Sequence, residues 1–161
     1  MNNKIIGLSI ALVLLISGCA TSELSPARDL TGTWKTAFPV NFYIKTDFLT
    51  GNLEEVGSEE RMMEWVISPG AGENEVNIDI SFIVNNRTLV TGSGYTPDIP
   101  LMSLKGDVES SSLTLRANNG RVIGVFSFTS DLMMGTWNDS WSMAYSQEVY
   151  THSNELKLVR E

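Results

Sequence analysis

An all-β chain, folded as an antiparallel up-and-down barrel of 8 to 10 strands, is what this sequence predicts, and two observations carry the prediction. From Leu30 onward apolar residues alternate with polar ones at a period of two, and no window holds the 3, 4 and 7 spacing of an amphipathic helix. Turn-forming residues separate those runs at regular intervals. A composition of 42% hydrophobic and 19% charged residues in 161 suits one packed domain and excludes a disordered tail. Sequential strands on short turns favour closure, which removes exposed sheet edges; a two-sheet sandwich is the competing arrangement.

The clearest strand is Val76, Ile78, Ile80, Phe82 and Val84, interleaved with Asn77, Asp79 and Ser81. Period two places those five side chains on one face. Met63, Trp65 and Ile67 share a face in Arg61 to Ser68, and Leu113 and Leu115 share one in Ser112 to Ala117. Further runs are expected at Thr33 to Phe38, Val40 to Thr46, Arg87 to Tyr95, Leu101 to Val108, Arg121 to Phe128, Leu132 to Trp137, Trp141 to Ser146 and Glu155 to Arg160, with one or two merging or failing. Asn and Gly accept positive φ at low cost, so turns are expected at Thr50 to Asn52, Pro69-Gly70, Asn85-Asn86, Pro97-Asp98, Asn118 to Gly120 and Asn138 to Ser140. The last is read as a three-residue hairpin loop that sets Trp137 opposite Trp141.

The N-terminus has a different character. Met1 to Lys4 give a short basic start, and Ile5 to Ile16 are apolar over the length of a signal h-region rather than a bilayer span. The stretch ends Leu15-Ile16-Ser17-Gly18-Cys19, which resembles the bacterial lipobox and uses the chain's one cysteine. The resemblance implies a signal peptide over 1–18, diacylglycerol on Cys19, a flexible tether to residue 29 and a folded domain over 30–161. Two acyl chains suffice for stable anchoring without a transmembrane helix. Ala20 in place of aspartate implies, by the sorting rule of Gram-negative lipoproteins, the outer membrane with the domain facing the periplasm. Loss of Lys4 with the leader takes the formal net charge from −8 to −9, which argues against nucleic acid as a partner and against anionic lipid surfaces. A single cysteine permits no disulfide within the chain.

The first strand opens Gly32-Thr33-Trp34, and the last carries Leu156, Leu158 and Arg160 on one face. Together these resemble the calycin superfamily of lipocalins, fatty-acid-binding proteins and avidins. The resemblance implies that Gly32, Trp34 and Arg160 close one end of the barrel, with the guanidinium packed across the indole.

The inward faces then suggest a ligand-lining set of Met63, Trp65, Phe82, Phe126, Trp137, Trp141, Met143 and Tyr145, able to hold a small apolar or aryl molecule or simply to fill the barrel. Gly124 and Gly135, on inward phases, would leave room for a ligand, while Ile123 and Val125 are expected on the outer wall. Adjacent methionines on a strand point to opposite faces, so Met62-Met63 and Met133-Met134 cannot chelate copper as pairs. Glu54, Glu55, Glu59, Glu60 and Glu64 read as a solvated rim around a loop, without a calcium-loop pattern, and Gly92-Ser93-Gly94 lacks the helix of a phosphate cradle. His152, the one histidine, falls in an expected loop; no G-x-S-x-G is present and the expected inward faces carry no acid. The expected function is therefore not enzymatic and needs no cofactor or metal. It is a lipid-anchored protein whose barrel binds or carries a small apolar ligand, or, in the rival reading, an interaction or inhibitor module with a filled barrel that docks another envelope protein.

Overall fold

The structure, a computed structural model, describes residues 26–46, 54–89, 101–143 and 147–161. After a helical turn α1 (Pro26–Asp29) come nine strands: β1 (Gly32–Thr36), β2 (Val40–Thr46), β3 (Glu54–Pro69), β4 (Glu75–Leu89), β5 (Met102–Glu109), β6 (Ser112–Arg116), β7 (Val122–Phe128), β8 (Leu132–Met143) and β9 (Gln147–Arg160). Every pairing is antiparallel, and β3 against β4 closes the ring. The result is a closed eight-stranded barrel with one extra strand, an architecture compatible with a lipocalin-like fold.

The extra strand arises because β1 and β2 lie end to end in one stave between β3 and β9. β1 pairs with Glu64 to Ile67 and with Leu158 to Arg160, whereas β2 pairs with Glu54 to Arg61 and Gln147 to Tyr150. Pro39 lacks an N–H and interrupts the ladder between them. Thr36 repairs the gap, its buried hydroxyl accepting from Met63 N–H at 2.9 Å, while Ala37 N–H donates to Lys157 O at 2.8 Å. Backbone groups orphaned by the break are thus satisfied from a side chain and a neighbouring strand.

Alternation decides which side chains fill the barrel. On β5 and β6 buried and exposed positions alternate along the whole strand. On β3 the odd positions from Gly57 to Ile67 are buried throughout. The resulting core holds Trp34, Trp65, Trp137, Phe42, Phe126, Met63, Ile78, Ile80, Leu113 and Leu115 almost fully shielded from water. An eight-stranded barrel is just wide enough for such side chains to meet across it.

Two expected turns are strand instead. Asn85 lies within β4 at a register shift where Glu60 faces Asn86 but Arg61 faces Val84, so it is a bulge residue beyond which the strand changes phase. Asn138 to Ser140 run straight through β8, paired with His152, Thr151 and Tyr150. No hairpin sets Trp137 against Trp141; the two are four residues apart on one strand. Asn, Asp and Ser favour turns locally, but a long partner in β9 offers them a continuous ladder. Asn118 to Gly120 do form the β6–β7 turn, with Gly120 at φ 83° and its N–H bonded to Ala117 O. The turns expected at 50–52 and 97–98 lie outside the described residues.

At one end α1 plugs the barrel. Ala27 and Leu30 are buried in the core, so the last residues of the expected tether are part of the fold. Trp34 Nε1–H donates to Leu30 O at 2.9 Å, and the Arg160 guanidinium lies over the Trp34 ring at 4.6 Å while bonding to Asp29 O. Gly32, at φ 132°, makes the bend from the plug into β1, a conformation that side-chain-bearing residues rarely adopt.

Candidate functional site

The inward residues of β2, β3, β4, β7 and β8 form the chemically distinctive part of the barrel. Its floor is aromatic. Trp65 stands edge-on to Phe126 at 5.4 Å and to Trp137 at 5.9 Å; Phe42 stands edge-on to Trp137 at 6.0 Å and to Phe82 at 5.5 Å. T-shaped pairs place a positive ring edge on a negative face, adding about 0.5–1.5 kcal/mol each beyond area burial. Trp65 Nε1–H is enclosed in this layer without an acceptor.

The glycines that were expected to leave room for a ligand are occupied by this packing. A Cβ on Gly135 would lie 2.6 Å from Phe126 Cα and 2.7 Å from its ring, and one on Gly124 would lie 2.6 Å from Thr136 O and 2.8 Å from the Phe126 ring. The space belongs to Phe126 and to the carbonyls of Val125 and Thr136.

Beyond the floor, on the side away from α1, the interior becomes charged. Glu59 and Arg61 continue the inward phase of Met63 and Trp65, and their side chains are only 1% and 3% exposed. Arg61 donates to Glu59 from Nε at 2.7 Å and from Nη2, and its guanidinium sits 5.8 Å from the Phe42 ring and 5.9 Å from the Phe82 ring. Asp139, 5% exposed on β8, accepts from Arg121 Nη2 at 2.6 Å and from Ser140 N–H at 2.9 Å. Burial pushes the Asp139 carboxyl above the usual carboxylate range, opposed by the Ser140 amide and the Arg121 charge. Glu59 faces Phe42 across β3–β2, Tyr43 faces Tyr150 across β2–β9, and Thr151 faces Asp139 across β9–β8. The two acids therefore lie in one register row, three strands apart.

This charged layer overturns two expectations. The inward faces do carry acids, and Glu59 belongs to the interior rather than to a solvated rim; Glu54 to Glu64 lie in β3 and not around a loop. Desolvated carboxylates persist here because each has a guanidinium partner.

Of the expected lining, Met63, Trp65, Phe126 and Trp137 come together fully buried, and Phe82 packs against them partly buried. Trp141 and Met143 belong to β8 by backbone, but their side chains, and Tyr145 altogether, lie outside the described residues, as do Gly92 to Gly94 and Cys19 with the whole leader. Gly32, Trp34 and Arg160 gather at the plugged end. Ile123 is buried, not outward: a register shift between β6 and β7 makes it an extra residue beside Gly124, so both turn inward, while Val125 is 48% exposed. His152 is in β9, not a loop. Phe42, Glu59, Arg61 and Asp139 were not expected in the site. Carrying the period of two from Met63 back to Glu59 and from Trp137 on to Asp139 reaches the three charged residues, and Val40, Phe42 and Ile44 alternate in the same way. Among the described residues, no group of three or more His, Cys, Asp or Glu side chains could hold a metal ion, and no helix is long and apolar enough to cross a membrane.

Comparison of the chain with models of known protein families and with curated proteins finds no match.

Proposed function

We propose that this chain is a periplasm-facing lipoprotein of lipocalin-like type, anchored in the bacterial outer membrane through lipid on Cys19, whose barrel binds a small apolar molecule without catalysis. The observation that carries the ligand reading is the Phe42–Phe82 shelf. Phe82 is only partly buried, yet its ring contacts the buried Phe42 and the Arg61 guanidinium, so an apolar body resting there gains burial against an existing aromatic layer. The non-catalytic reading is supported by the pairing of Glu59 with Arg61 and of Asp139 with Arg121.

The rival docking reading also has an observation in its favour. Val125, Met134 and Val159 are 48%, 42% and 38% exposed and lie diagonally across β7, β8 and β9 on the outer wall.

Titration of the chain with a naphthalene or fatty-acid fluorophore, read by Trp emission, separates the two. A saturable response that weakens about tenfold in Phe82→Ala is expected, the equivalent of losing one buried ring contact. A flat response across a lipid panel rejects the ligand reading and leaves the outer wall as the working surface. In parallel, Cys19→Ser is expected to leave the protein unprocessed or released from membranes; normal processing with membrane retention rejects the anchor.

A further inference from the structure

We propose that the groove at the plugged end is a headgroup site for a zwitterionic phospholipid bearing a primary ammonium, separate from the barrel interior. The groove, about 550 Å³, runs between α1, the β5–β6 turn and the β7–β8 turn. Its walls bring together the guanidiniums of Arg28 and Arg160, the acidic Asp29, the hydroxyls of Ser110 and Ser130, and the apolar ring of Phe128. Guanidinium and hydroxyl donors suit the oxygens of a phosphodiester, and a carboxylate suits an ammonium that can donate N–H bonds.

Two features fix the wall of the groove. Arg160 stacks on Trp34 and donates from Nη2 to Asp29 O, but its Nε–H is closed off from solvent without an acceptor. Stacking and the Nη2 bond hold the guanidinium in one orientation, so a phosphodiester oxygen in the groove would meet it at its terminal nitrogens and not at the shielded Nε. Ser110, on the groove wall, holds φ 53° in the two-residue turn between β5 and β6, a left-handed conformation for which glycine is the economical residue.

Charge selects the class of lipid. A lining that mixes two guanidiniums with Asp29 matches a zwitterion better than a bare anion, and a chain of formal charge −8 is repelled by an anionic surface. The source of the ligand rests on the lipid-anchored reading above. Pro26 follows Cys19 by seven residues, which reach at most about 25 Å when fully extended. Anchoring at Cys19 would keep the plugged end within that distance of the headgroups.

The test uses the chain from Ala20 onward, which contains the whole closed barrel but not the cysteine. Glycerophosphoethanolamine, followed by the Ser110 and Ser130 amide shifts and the Trp34 indole N–H shift, is expected to saturate and to bind about tenfold more tightly than inorganic phosphate or glycerophosphocholine, whose quaternary ammonium cannot donate to Asp29. Arg28→Gln, which removes a donor to the phosphodiester, is expected to weaken glycerophosphoethanolamine about tenfold with unchanged thermal unfolding, because the Arg28 residue is exposed. Co-sedimentation is expected with phosphatidylcholine vesicles containing phosphatidylethanolamine and not with phosphatidylcholine alone. Lack of saturation, equal affinity for inorganic phosphate, indifference to Arg28→Gln, or binding of the soluble headgroup without binding of vesicles each overturns the proposal. Since this chain cannot be acylated, failure of the anchor shows only in the Cys19→Ser fractionation and leaves these outcomes untouched.

Discussion

The two halves of the barrel are built from the same alternating strands but are held by different forces. At the plugged end Trp34, Trp65, Leu30 and Leu158 are buried apolar surfaces, with the Arg160 guanidinium spread over an indole and tied to a carbonyl. In the far half the same inward phase delivers Glu59, Arg61 and Asp139. Apolar packing is non-directional and tolerates small rearrangement, whereas a buried ion pair is favourable only while both partners and their hydrogen bonds are in place. The far half is thus the more easily broken by a single change and the more responsive to pH.

The sharpest way to break the contrast is Arg61→Met. It strands the Glu59 carboxylate in the interior and is expected to cost about 3–5 kcal/mol in denaturant unfolding, while the double change Glu59→Leu/Arg61→Met recovers most of the loss. If the single change costs under about 1 kcal/mol, the far half is not held by this pair. A smaller effect is expected at the floor: Gly135→Ala drives a methyl into the Val125 carbonyl and Phe126 and should cost about 1–3 kcal/mol by overpacking. A gain in stability there would mean that the floor is looser than its ring contacts imply.

The smallest effect separates packing from charge. Asp139 binds its proton more tightly when folded than when unfolded, so the folded state takes up protons as the pH falls towards its unfolded range near 3.8. Its contribution to stability is present below that range and is lost as the pH rises through the elevated folded value. Asp139→Asn, leaving a half-exposed Arg121 free to meet water, is expected to change stability by less than about 1 kcal/mol at pH 7 and to flatten this dependence. An unchanged slope of stability against pH would assign the titration elsewhere.

Much of the fold was legible because a period of two, repeated over Val76 to Phe82 or Met63 to Ile67, admits little but a half-buried strand. The plugged-end partners were legible through the likeness of Gly32, Trp34 and Arg160 to the calycin pattern, to which the phase of Leu156 and Leu158 adds only the face that the arginine takes. The charged layer was not. Glu59 and Asp139 carry the signals of solvent and turn, and these mask the period of two that reaches them from Met63 and Trp137. Ile123 misled in the opposite sense: a register shift against β6 inverted its phase, and bulges leave no mark in a single strand.

By itself the sequence determined the class of fold, the approximate position of most strands and which residues of each run share a face, because pleating couples chain position to side-chain direction with a fixed period. Only the tertiary structure decided that β1 and β2 share one stave, that Phe126 takes the space beside Gly124 and Gly135, and that two acids and an arginine are buried with partners. Those outcomes depend on register between strands distant in sequence, and register is set by the mutual fit of all the staves around a closed ring.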